Sequence, residues 1–63
     1  MSTGILRPLQ IASLRWLAQG RTLVEISKIE GRNVNEIERC LKDALVLLRV
    51  GSVEEAIRKI EHD

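Results

Sequence analysis

Apolar residues recur along most of this chain at spacings of three and four, the period of amphipathic helices, and no stretch alternates as a half-buried strand would. The clearest case is 34–49. Val34, Ile37, Leu41, Ala44, Leu45 and Leu48 fall on one face there, with Glu38, Arg39, Lys42 and Arg49 opposite. A last segment, 53–61, carries a single stripe of Val53, Ala56, Ile57 and Ile60. Connections as short as Gly31-Arg32 make neighbouring helices pack at sharp angles rather than as a long antiparallel bundle.

Local punctuation places the boundaries. Thr22 with Glu25, Asn33 with Glu36 and Ser52 with Glu55 each pair a cap with a Glu three residues on. In such a box the cap oxygen accepts an orphan N–H at the helix start, and the Glu reaches back to the cap's own N–H. Pro8 suits a first helical turn, where its missing N–H costs nothing. Gly20 suits the left-handed residue after a first helix, and Gly51 the end of the third. These signals predict helices at about 8–19, 23–30, 34–49 and 53–61, behind a flexible arm at 1–5. The expected fold is one all-α domain over 1–63 that contains a helix-turn-helix.

The first helix carries two apolar stripes. Ile11, Leu14, Leu17 and Ala18 form one, Leu9, Ala12 and Trp16 the other, with Ser13 and Arg15 between them. A domain this small buries one stripe in its own core. The other packs under the arm at Ile5-Leu6 or meets another protein chain.

Composition narrows the function classes. At 63 residues the chain buries only roughly 60% of its unfolded surface, so its core is small and a deep reaction pocket is not expected. Ten Lys and Arg against nine Asp and Glu leave a net charge of +1, which removes bulk charge as an argument for nucleic acid binding. Cys40 is the single cysteine, so no internal disulfide can form, and a reducing, bacterial cytoplasm is the expected setting. The longest apolar run, 44–48, falls far short of the ~20 residues of a membrane span. The sole histidine, His62, stands next to the C-terminus, and the acids fall on convex helix faces with no nucleophile beside a base. No enzymatic activity, metal or cofactor is expected, and Cys40 is expected to be a half-buried packing residue.

From Leu6 to Ile57 the residues resemble the LuxR-type (GerE-like) helix-turn-helix domain of bacterial transcription regulators. Leu6 and Pro8 resemble the family's opening, and Leu14 with Leu17-Ala18-Gln19-Gly20 its most specific signature. Thr22, Glu25-Ile26 and Gly31 resemble its second helix and turn; Asn33, Ile37, Leu48, Val50, Ser52 and Glu55-Ala56-Ile57 resemble its cap, core and tail. The resemblance implies that the second and third helices form the motif. It further implies that the third enters the major groove and the fourth supports dimerisation.

The departures fall largely on the DNA side. Leu23-Val24 stand where the family usually has Asn-Lys, Glu36 where a Thr commonly meets a phosphate, and Cys40 for a frequent His. Leu47 replaces a near-standard Lys, and Glu38 occupies a position that is often basic. Two functions follow as expectations. The first is a DNA-binding transcription regulator, acting by itself as a homodimer or as a domain of a longer regulator, through Asn35, Glu38, Arg39 and Lys42 on the third helix. The second is a protein-interaction module that docks on another regulator and antagonises it, through Leu9, Trp16, Leu23, Val24 and Leu47.

Overall fold

The computed structural model describes residues 2–62 and is all-α. A turn of 3-10 helix at Ser2–Ile5 leads into four helices: α1 (Pro8–Ala18), α2 (Leu23–Glu30), α3 (Val34–Leu48) and α4 (Val53–Glu61). Met1 of the expected arm and the last residue, Asp63, lie outside the described residues. The body measures 29 × 19 × 19 Å.

α3 is the central element and packs against α1, α2 and α4. Its inward line, Ile37, Leu41, Ala44 and Leu48, is buried and meets Leu14 of α1, Ile26 of α2 and Ala56 and Ile60 of α4. Leu6, just ahead of α1, enters this core as well.

Helix starts follow the cap chemistry with one exception and one refinement. Thr22 and Glu25 form the full reciprocal box: the Glu25 N–H donates to Oγ1 at 3.2 Å, and the Thr22 N–H donates to the Glu25 carboxylate at 2.9 Å. Asn33 accepts from the Glu36 N–H at 2.8 Å, but the Glu36 carboxylate is drawn to Arg32 at 3.5 Å and makes no reciprocal bond. At Ser52 both contacts involve the hydroxyl, which accepts from the Glu55 N–H and donates to its carboxylate. The start of α1 uses a cap not expected from the sequence: the Arg7 N–H donates to Gln10 Oε1 at 2.7 Å.

The ends differ from expectation in one place. Gly20 and Gly31 take the left-handed conformation, at φ 87° and 67°, as a residue without a Cβ does readily. Gly51, expected to end α3, does not. That role belongs to Arg49, at φ 58°, which brings the Val50 N–H to the Leu45 carbonyl. Lys59 of α4 donates to the Leu48 carbonyl at 2.9 Å, placing a cation at the negative end of α3.

α1 corrects the expected core. Leu14 is fully buried, but Ser13, which stands between the two apolar stripes, is also at 0% exposure, and Gln10 is at 4%. Leu17 is half-buried and Ala18 exposed, so the helix is rotated toward Gln10 and Ser13 relative to the expected stripe.

Candidate functional surfaces

The outward face of α3 is built by the spacing that builds its core. At roughly 100° per residue, a step of two residues moves a position to the opposite side of the helix. Asn35, Arg39, Lys42 and Val46 therefore repeat the four-three-four spacing of Ile37, Leu41, Ala44 and Leu48 on the far face. All four are exposed. Val46, at 75%, is the most exposed of the large apolar residues described. It was not among the residues singled out from the sequence, although the 35-39-42-46 spacing points to it.

Acids flank this line on both sides, Glu36 and Asp43 on one and Glu38 on the other. Glu36 is occupied locally, since Arg32 holds its carboxylate. Arg39 and Lys42 form no ion pair among the described residues, unlike Arg21 and Arg32. A recess of about 180 Å³ lies at the start of α3 among Asn33, Asn35, Glu36 and Arg39. Such a face offers hydrogen-bonding groups, two cations and one apolar contact, between flanks that carry carboxylates.

The second surface lies on α1. Pro8, Ile11, Ala12 and Trp16 floor a hollow of about 480 Å³, rimmed by Arg15, Gln19 and Glu30. The Trp16 indole N–H donates to the Glu30 carboxylate at 2.8 Å, fixing the ring at the seam between α1 and the end of α2. The apolar stripe expected in one piece is thus divided. Leu9, Trp16 and Leu23 pack in part against the core, and Ala12 and Trp16 also open onto the hollow with Ile11. Val24, at 52%, and Leu47, at 43%, are exposed.

Cys40 is half-buried on α3, where Gln10 Nε2 approaches its carbonyl at 3.5 Å. Burial, with Asp43 adding to it, pushes its thiol pKa up. No cluster of three or more His, Cys, Asp or Glu able to hold a metal occurs among the described residues, and none of their helices is long and apolar enough to cross a membrane. No protein-family model matches the chain, and neither a curated protein nor a solved structure matches it.

Proposed function

We propose that this protein is a non-enzymatic, cytoplasmic DNA-binding module of the helix-turn-helix kind, with α3 as its reading helix. The observation that carries the reading is the exposed line of Asn35, Arg39, Lys42 and Val46, whose two cations have no ion-pair partner among the described residues. Asn suits adenine, Arg and Lys suit guanine, and an apolar side chain suits the thymine methyl group. The likeness of Leu17-Ala18-Gln19-Gly20 and its surroundings to LuxR-type regulators supports the same assignment. With acids at its flanks, the helix gains more from base edges than from phosphates, so selectivity should exceed what a net charge of +1 would suggest.

The test is a fluorescence titration against a random-sequence DNA pool and its selected fragments at two salt concentrations. Arg39→Ala and Lys42→Ala should each weaken binding to selected fragments. A side chain on a base should cost about 1–3 kcal/mol at one position, and one on a phosphate should reduce the salt slope by about one. Glu38→Lys should strengthen non-specific binding by removing a repulsive charge. Absence of salt-dependent binding at low ionic strength would overturn the reading. The hollow beside Trp16 favours a second one, a protein-interaction module on the same scaffold. Under it, Trp16→Ala should abolish partner capture while the α3 variants have no effect.

A further inference from the structure

Among the described residues three take a left-handed backbone, Gly20, Gly31 and Arg49, each just past the end of a helix. The first two are the residue that adopts it freely. The third, at the end of α3, carries a Cβ that crowds the following carbonyl oxygen. Nothing in the fold offsets this through the side chain. The guanidinium forms no ion pair among the described residues, and the closure of α3 uses main-chain groups alone. The Arg49 N–H donates to the Val46 carbonyl and the Val50 N–H to the Leu45 carbonyl, both at 3.1 Å. A glycine would make the same bonds without the crowding. A strained residue whose side chain the fold does not use points to a contact outside the fold.

We propose that Arg49 is a phosphate-binding anchor, which holds the end of α3 to the DNA backbone whatever the base sequence; this rests on α3 being the reading helix. A step of three from Val46 brings Arg49 onto the outward line of Asn35, Arg39, Lys42 and Val46, and it is exposed as they are. From Asn35 to Arg49 that line runs about 21 Å at roughly 1.5 Å per residue. A major groove is only about 12 Å wide, so the two ends of the line do not both rest on base edges. A helix-turn-helix sets the first residues of its reading helix on the bases. Arg49 is then the end that meets the sugar-phosphate backbone at the groove's edge. The charges agree. Acids flank the line as far as Asp43, but none occurs from 44 to 53. Glu55, in the first turn of α4, lies with the Ser52 hydroxyl at 3.4 Å, and Lys59 covers the Leu48 carbonyl at the negative end of α3.

Three variants of the full chain separate the charge from the backbone. Each is measured by urea unfolding without DNA, and by fluorescence titration of selected and random-sequence duplexes over a range of salt. Arg49→Gly relieves the crowding and removes the cation together. Its urea midpoint should rise while its binding to both kinds of duplex weakens by a similar factor, with a salt slope shallower by about one. The wild-type advantage should accordingly shrink about three- to fourfold between 50 and 200 mM salt. Arg49→Ala should lose the same binding without the gain in stability, and Arg49→Lys should keep the slope. A merely structural Arg49 would lose stability and binding together, so a lowered midpoint in Arg49→Gly overturns the proposal. So does a wild-type slope in Arg49→Gly or Arg49→Ala, a lost slope in Arg49→Lys, or a loss confined to one base position. A wild type that binds DNA beside an Arg49→Gly of unchanged slope would sink the anchor alone. A wild type without salt-dependent binding would sink the reading of α3 and the anchor with it.

Discussion

α1 and α3 cross the same small core and partition their side chains in opposite ways. Along α3 every inward position is apolar, and the outward line is polar until Val46. Along α1, Leu14 is buried in the company of Gln10 and Ser13, while Ile11, Ala12 and Trp16 stand half-exposed over an open hollow. Burying a polar group costs free energy unless it is hydrogen-bonded, and leaving apolar surface in water forgoes about 25 cal/mol per Å². A domain with so little interior has scant stability to give away on both counts. The difference therefore separates a helix that divides apolar from polar cleanly between core and solvent from one that buries two polar side chains and leaves apolar ones half-exposed.

The largest expected effect breaks or confirms that contrast directly. Ile37→Ala, at a fully buried position of α3, should cost about 2–5 kcal/mol, enough to remove most of the stability of so small a domain. Leu17→Ala on α1 should cost clearly less, because that side chain is only half-buried. Urea unfolding followed by circular dichroism measures both. Equal losses at the two sites would mean that α1 contributes as fully to the core as α3 does.

Next in size is a gain. The Ser13 hydroxyl is fully buried with no partner among the described residues. Ser13→Ala removes an unsatisfied polar group and installs the best helix former, so stability should rise by roughly 1–2 kcal/mol. A loss of stability would show instead that the hydroxyl is satisfied in solution, and would weaken the case that α1 is compromised as a core helix.

The extents of all four helices were legible in the sequence because their signals are local: a cap, a proline, a glycine and a three-four period. The rotation of α1 was not. Two apolar stripes compete on that helix, and which one faces inward depends on Gln10, which bonds the Arg7 N–H and the Cys40 carbonyl thirty residues away. Arg49 in the left-handed conformation was hidden for a similar reason. Gly51 is the obvious candidate by chemistry, but the Val50 N–H bond to Leu45 closes α3 two residues earlier. On the candidate reading face, Asn35, Arg39 and Lys42 follow from helical spacing alone, and their exposure follows from the buried line opposite. The open hollow beside Trp16 does not follow from spacing, because Leu6 turns into the core and does not line it.

A smaller effect probes how each of the two helices is started. Asn33→Ala should lose about 1 kcal/mol, since the side chain's bond to the Glu36 N–H has no reciprocal partner to replace it. Amide exchange should quicken over 34–37 and leave α1 unchanged. Protection retained at those amides would move the start of α3 elsewhere.

The smallest effect reads the seam between the two helices through Cys40. Its thiol pKa is raised, chiefly by burial and further by Asp43. The thiolate is the reactive form, so at neutral pH a smaller fraction is available than in a free cysteine peptide, and alkylation should be slower. The rate should keep climbing with pH beyond the point where the free peptide levels off, which is the sign a raised pKa requires. Gln10→Met conserves volume while removing the bonds that Gln10 makes to the Arg7 N–H and the Cys40 carbonyl. It should loosen α1 over α3 and speed labelling, with little change in total helicity. Labelling at the free-peptide rate in the wild type would place the thiol in water and show that α1 does not seat on α3 through Gln10. A wild-type rate that is slow and indifferent to Gln10→Met would show that the thiol is shielded without Gln10, so that the bond to the Cys40 carbonyl does not seat α1 on α3.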